Sequence, residues 1–159
     1  MKKVFCEIEK CLGCRTCELA CAVEHSSSKS LTAAIREFPL AKSRIQVQFI
    51  DHKGKLNRTR AIALQCRHCE EPLCIQACIS GGIQKDKTGN ILVNPEKCVG
   101  CWSCIMVCPF GIIVQQEDIK QILKCDHCPD LDIPACVSAC PTRALTFDEQ
   151  KEFIEKTKK

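Results

Sequence analysis

Residues 98–113 read CVGCWSCIMVCPFGII. Cys98, Cys101, Cys104 and Cys108 follow the spacing C-x2-C-x2-C-x3-C, and Pro109 comes directly after the last of them. A cube of four irons and four sulfides has four iron corners, each needing one thiolate. Two residues between cysteines let a looping backbone present successive sulfurs to adjacent corners. A fourth Cys, after three more residues, points away along a starting helix toward the other cluster of a pair. Proline at the next position blocks continuation of that helix and fixes the turn.

The same chemistry recurs along the chain. Cys11, Cys14, Cys17 and Cys21 repeat the spacing. Cys66, Cys69, Cys74 and Cys78 stretch it to C-x2-C-x4-C-x3-C. Cys125, Cys128, Cys136 and Cys140 stretch it to C-x2-C-x7-C-x3-C, followed by Pro141. These are four groups of four, in the pattern of bacterial two-cluster ferredoxins, and they organise the chain as an internal repeat. In the first two groups Ala22 and Ile79 stand where the strict form has proline. The competing chemistry is structural zinc, but that needs two C-x2-C pairs separated by a loop. Four thiols crowded into eleven residues favour four 4Fe–4S clusters. Spacing alone leaves open whether the groups pair first with second and third with fourth, or first with fourth and second with third.

Composition points the same way. Of 159 residues 17 are Cys, and they inflate an apolar share of 45% that includes one Trp and no Tyr. The remaining aliphatic core is thin, so folding is expected to be coupled to cluster insertion, with the apo-chain largely disordered. A secreted disulfide scaffold is not indicated, because the start MKKVFCEIEKC shows no apolar signal core, no cleavage site and no twin arginine. Apolar runs such as residues 112–114 are far short of a membrane span. The expectation is a cytoplasmic protein with reduced, metal-binding cysteines. The formal charge of +4 is too mild to argue for nucleic acid. A 2+ core with four thiolates carries about −2, so four of them bring the loaded protein to about −4. No Ser-His-Asp triad, paired carboxylates, P-loop or G-x-G-x-x-G is present, so catalysis and nucleotide binding are not expected within the chain.

Between the groups the pattern predicts short elements, an α+β chain. Residues 3–8 read as a strand. Ile45, Val47 and Phe49 alternate with Gln46 and Gln48, a half-buried strand, with turn chemistry at 51–54 and a returning strand at 61–64. A second hairpin spans 82–93, with its tip at 87–90. Strands follow the Cys-Pro groups at 112–115 and 144–147. Helical signals are short, at 16–24, 73–79, 105–107 and 134–139. Residues 148–159 read as a terminal helix N-capped by Asp148, or a tail.

Several single residues invite a role. His68 and His127 sit inside C-x2-C pairs, where they either hydrogen-bond the ligand sphere, fill a turn, or ligate iron. Trp102 either shields a cluster or packs as a core aromatic. Cys6, the cysteine left over, reads as a buried structural thiol, with a fifth ligand or redox switch as alternatives. Arg67, Lys97 and Lys124 adjoin ligand cysteines and either offset cluster charge or are solvated.

Sixteen cysteines in this order resemble the four-cluster, ferredoxin-like iron–sulfur subunits of the dimethyl sulfoxide reductase, formate dehydrogenase and hydrogenase systems. That resemblance implies two nested two-cluster units: an outer one from 1–30 and 115–148 enclosing an inner one at 64–114, with a hairpin insertion at 31–63 and a C-terminal helix or tail at 149–159, all in one compact chain. It implies four ligand sets: Cys11, Cys14, Cys17 with Cys140; Cys66, Cys69, Cys74 with Cys108; Cys98, Cys101, Cys104 with Cys78; and Cys125, Cys128, Cys136 with Cys21. It also implies a non-catalytic electron wire. The stretches CRTCELACAVEHSSSKSL (14–31), LQCRHCEEPLCIQACISGGI (64–83) and CVGCWSCIMVCPFGII (98–113) further resemble the iron–sulfur electron-transfer subunit of carbon monoxide dehydrogenase. The implied donor is a nickel–iron carbon monoxide dehydrogenase of anaerobic metabolism, and the implied acceptor a hydrogenase or flavin-dependent NAD(P) reductase. The alternatives are the same wire in a cytoplasmic formate dehydrogenase or hydrogenase and, from another class, an iron–sulfur redox sensor.

Overall fold

Too few apolar residues exist for one large core, and the chain divides them between two small ones. The computed structural model describes residues 1–50 and 60–157. In chain order the elements are β1 (Lys3–Cys6), α1 (Thr16–Glu24), α2 (Leu31–Ala34), β2 (Ile45–Ile50), β3 (Arg60–Gln65), α3 (Leu73–Gln76), β4 (Ile83–Lys85), β5 (Ile91–Val93), α4 (Ser103–Met106), β6 (Val114–Gln116), β7 (Gln121–Leu123), α5 (Ala135–Ser138), β8 (Leu145–Asp148) and α6 (Gln150–Thr157). The strands form four antiparallel ribbons of two: β1 with β8, β2 with β3, β4 with β5 and β6 with β7. The first ribbon joins the two ends of the chain, pairing Val4 with Phe147 and Cys6 with Leu145.

The first core collects Val4, Ile45, Val47, Ala61, Ala63 and Leu145 around the buried Cys17, Cys21 and Cys136, with Cys6, Cys11 and Cys140 packed at its border. The second collects Ile83, Ile91, Ile113 and Ile122 around Cys104, bordered by Cys74, Cys78, Cys98 and Cys108. Helix α1 packs on α5, and α3 on α4. Thus cysteines of groups one and four share one core, and those of groups two and three share the other.

The expected elements form close to their predicted bounds, with instructive differences. The turn read at 51–54 lies outside the described residues. Ile45 and Val47 are buried as the alternation requires, but Phe49 is exposed and lies over the group-one loop at Gly13 rather than in the core. Residues 112 and 113 bury without strand pairing, and the strand starts at Val114, in a hairpin with β7 that the pattern did not reveal. Asp148 does not cap a helix. It ends β8 and accepts from Lys156 Nζ at 2.8 Å, while the Glu149 carbonyl takes the Phe153 N–H of the first helical turn. Helix α6 docks by stacking Phe153 on Phe5, with ring centroids 4.6 Å apart. Among the described residues no helix is long and apolar enough to cross a membrane.

Candidate metal centres

Each C-x2-C loop has a left-handed residue placed directly before its second cysteine. These residues are Gly13 (φ +68°), His68 (φ +44°), Gly100 (φ +64°) and His127 (φ +65°). At the glycines a side chain has no room. A Cβ at Gly100 would run into the Lys120 carbonyl oxygen, and one at Gly13 would lie 2.6 Å from the Phe49 ring. At the histidines the same turn sends a full imidazole inward. After the last cysteine, three groups close with a further left-handed residue, at Gly81, Gly111 and Arg143, whose N–H groups bond back to the carbonyls of Cys78, Cys108 and Cys140. Group one lacks this closure because α1 runs on through Cys21 to Glu24.

In groups two and three the thiols converge in three-plus-one arrangements. One cavity is lined by Cys66, Cys69 and Cys74 from group two and by Cys108 from group three, with Leu73, Ile91, Ile112 and Ile113 around them. Another is lined by Cys98, Cys101 and Cys104 from group three and by Cys78 from group two, beside Ile83, Ile122 and Trp102. Around the first core, Cys11 and Cys14 act on Cys17, Cys11 and Cys140 lie near Cys6, and Cys125, Cys21 and Cys128 lie near Cys136. Burial pushes Cys17 up to about 12 and Cys104 and Cys128 up to about 11, and it raises Cys136, where neighbouring thiols add to the effect. Such thiols become thiolates only against a positive centre. Soft sulfur donors in fours, walled by aliphatic side chains, fit a cubane cluster.

A polar network surrounds Cys21. His25, one helical turn after it on α1, places Nδ1 3.7 Å from its sulfur, and the Arg44 backbone N–H donates to that sulfur at 3.3 Å. His25 Nε2 meets Asp126 at 3.2 Å, and the Arg44 guanidinium pairs with the same carboxylate. Burial pulls the His25 imidazolium down, but its bonds to Asp126 and Cys21 outweigh that and hold it at about 9. The sulfur of Cys21, despite its burial, is shifted toward the thiolate by these donors. Sequence reading missed His25, Arg44 and Asp126. The i, i+4 spacing of Cys21 and His25 was the available signal.

The remaining candidates fall in distinct places. Lys124 is buried at 3% exposure and donates to the carbonyls of Ile91 and Cys125. Lys97 is exposed, and Arg67 lies over the Phe110 ring at 4.9 Å. Trp102 packs on the second core and lines its cavity. Cys6 sits in β1 next to Cys11, outside any set of four. Among the described residues only Cys14 and Cys101, second in their groups, are exposed cysteines.

Four repeats of a thiol-bearing loop, gathered on two shared cores, define a ferredoxin-type iron–sulfur protein. Residues 58–150 match the 4Fe-4S dicluster domain family and residues 8–24 a 4Fe-4S binding domain. The chain belongs to this 4Fe-4S dicluster family, and it carries four 4Fe–4S clusters. It is 37% identical over 145 residues to the putative electron transport protein YsaA of Escherichia coli K12, covering 89% of this chain and 86% of that one. It is 33% identical over 159 residues to a subunit of anaerobic dimethyl sulfoxide reductase from the same organism, covering 96% and 75%. It is 34% identical over 158 residues to the electron transport protein HydN, also of that organism, covering 89% and 85%. The chain is thus an iron–sulfur electron-transfer protein of the kind found as subunits of redox enzymes.

Proposed function

We propose that this chain is a non-catalytic electron relay between a catalytic redox subunit and a second redox partner, built as two nested two-cluster units. The observation that carries the reading is the pair of four-thiol cavities, each taking three sulfurs from one group and the fourth from the other. The proposed ligand sets are Cys11, Cys14, Cys17, Cys140; Cys66, Cys69, Cys74, Cys108; Cys98, Cys101, Cys104, Cys78; and Cys125, Cys128, Cys136, Cys21. When bound, each cluster supplies a one-electron carrier whose charge spreads over several metal atoms. The chain's part is to hold the sulfurs, exclude water with Ile83, Ile91, Ile113 and Ile122, and aim N–H groups at the thiolates.

The proposed donor is a nickel–iron carbon monoxide dehydrogenase, and the proposed acceptor a hydrogenase or flavin-dependent NAD(P) reductase, in the cytoplasm. Its support is the likeness of residues 14–31, 64–83 and 98–113 to the electron-transfer subunit of that enzyme. Anaerobic affinity purification of the tagged chain from its native cells, with mass spectrometry of co-purifying subunits, tests the partner. Recovery of a nickel enzyme is expected, and recovery of a molybdenum-type catalytic subunit overturns this assignment. Iron and acid-labile sulfide at about sixteen each per chain test the relay itself.

A further inference from the structure

Two buried histidines link the two cores: His68 accepts from Ile91 of the second, and His127 meets Phe147, at the border of the first, edge-on. The rings of His68, from the group-two loop, and His127, from the group-four loop, lie with centroids 3.9 Å apart and tilted by 35°. Both are buried, at 1% and 6% exposure. Adjacent residues of the inner hairpin hold them. The Ile91 N–H donates to His68 Nδ1 at 2.8 Å, and Asn90 Oδ1 faces His127 Nδ1 at 3.0 Å. Asn90 spends its amide N–H on Thr88, so its oxygen is the atom turned to His127.

These contacts fix the tautomers. A backbone N–H can only donate, so His68 Nδ1 is bare and its proton sits on Nε2. Asn90 Oδ1 can only accept, so His127 carries its proton on Nδ1. The Nε2 atoms of both rings are buried and have no hydrogen-bond partner among the described residues. A buried N–H left unpaired forfeits its hydration with nothing in return, so the orphaned donor of His68 calls for an acceptor. Sulfur is at hand: one ring nitrogen of each histidine and Cys125 Sγ all lie within 4.8 Å of one another. His68 Nδ1 already accepts from Ile91, so Nε2 is the nitrogen with a proton left to give.

We propose that His68 is a positioning residue that donates its Nε2–H across the boundary to the Cys125 thiolate, so that a residue of the inner half sets the reduction potential of a cluster held by the outer half. The proposal rests on the ligand sets given above. An N–H aimed at a ligand sulfur stabilises the more negative, reduced state and raises the potential. The same bond ties the group-two loop to the group-four loop, where the two halves meet.

The test uses the full chain, purified anaerobically. His68→Phe keeps the ring and the stack but has no N–H, whereas His68→Gln keeps an N–H at similar reach. His68→Met, flexible and also lacking the donor, serves if Phe does not assemble. Potentials are read by titration followed by electron paramagnetic resonance, and the relevant signal is identified as the one that Cys125→Ser perturbs. The expected result is a downward shift of that one midpoint in the Phe or Met variant, partly restored in Gln, with iron and sulfide content unchanged. Four unchanged midpoints at full loading, or an equal shift in all variants, overturn the proposal. Unsubstituted protein lacking about sixteen irons would instead overturn the ligand sets on which it stands.

Discussion

Asp126 meets His25 across 101 residues of chain, at 3.2 Å, and so fastens the group-four loop to helix α1. Arg44 closes the network from a third segment by pairing with the same carboxylate. Burial raises the Asp126 carboxyl, but the His25 bond and the Arg44 charge overcome this and hold it well below the usual carboxylate range. His25 is raised above its ordinary 6.5 to about 9 in the fold. Its contribution is therefore fully present below pH 6.5 and disappears as pH climbs through about 9. Thermal or denaturant stability of the loaded protein should fall between these pH values. In His25→Gln that fall should be absent, with stability already lower by about 1–3 kcal/mol at pH 6.5.

Among the described residues Lys124 is a buried cation that joins the second core at Ile91 to the group-four loop at Cys125. Its ammonium contacts the carbonyls of Ile91 and Cys125, and it adds positive potential near Cys74 and His68. Lys124→Met keeps the stem but deletes the charge and two hydrogen bonds. The expected cost is about 1–3 kcal/mol of stability, with lowered midpoints for the clusters held by groups two and four. Denaturant titration and redox titration check the two parts separately, and an unchanged midpoint would assign Lys124 to packing alone.

Gly100 and Gly111 share a positive φ but not a neighbourhood. A Cβ at Gly100 collides with the Lys120 carbonyl, whereas one at Gly111 meets nothing within 4 Å. Gly111→Ala should cost only the left-handed penalty of about 1–2 kcal/mol and keep its iron. Gly100→Ala adds a backbone clash and should open the group-three loop, with loss of about four irons per chain by elemental analysis.

Among the described residues Cys14 and Cys101 are the exposed cysteines, one in group one and one in group three, while Cys6 belongs to none of the four groups. Cys6→Ser should retain about sixteen irons, as iron analysis would show. Under mild ferricyanide, the clusters held with Cys14 and Cys101 should bleach before those of groups two and four, because their sulfurs meet the oxidant directly. Mössbauer or paramagnetic resonance spectra taken during bleaching give the order, and simultaneous loss of all four would contradict it.

Sequence alone determined the local units. Ligand spacing is set by the size of the cube and the reach of a few backbone bonds, so the four groups, helix α1 at its observed bounds and the hairpins of Ile45 with Gln65 and Ile83 with Val93 were legible. Such patterns are read within one short stretch of chain. Tertiary structure alone decided what spans the chain: that Phe49 lies on Gly13, that β6 turns back onto β7, that Lys124 is buried while Lys97 is not, and that His68 lies against His127. These relations depend on which distant loops share a low-dielectric interior. Pairing of such distant segments leaves no periodicity in sequence, because it is governed by packing and burial rather than by the stereochemistry of neighbouring residues.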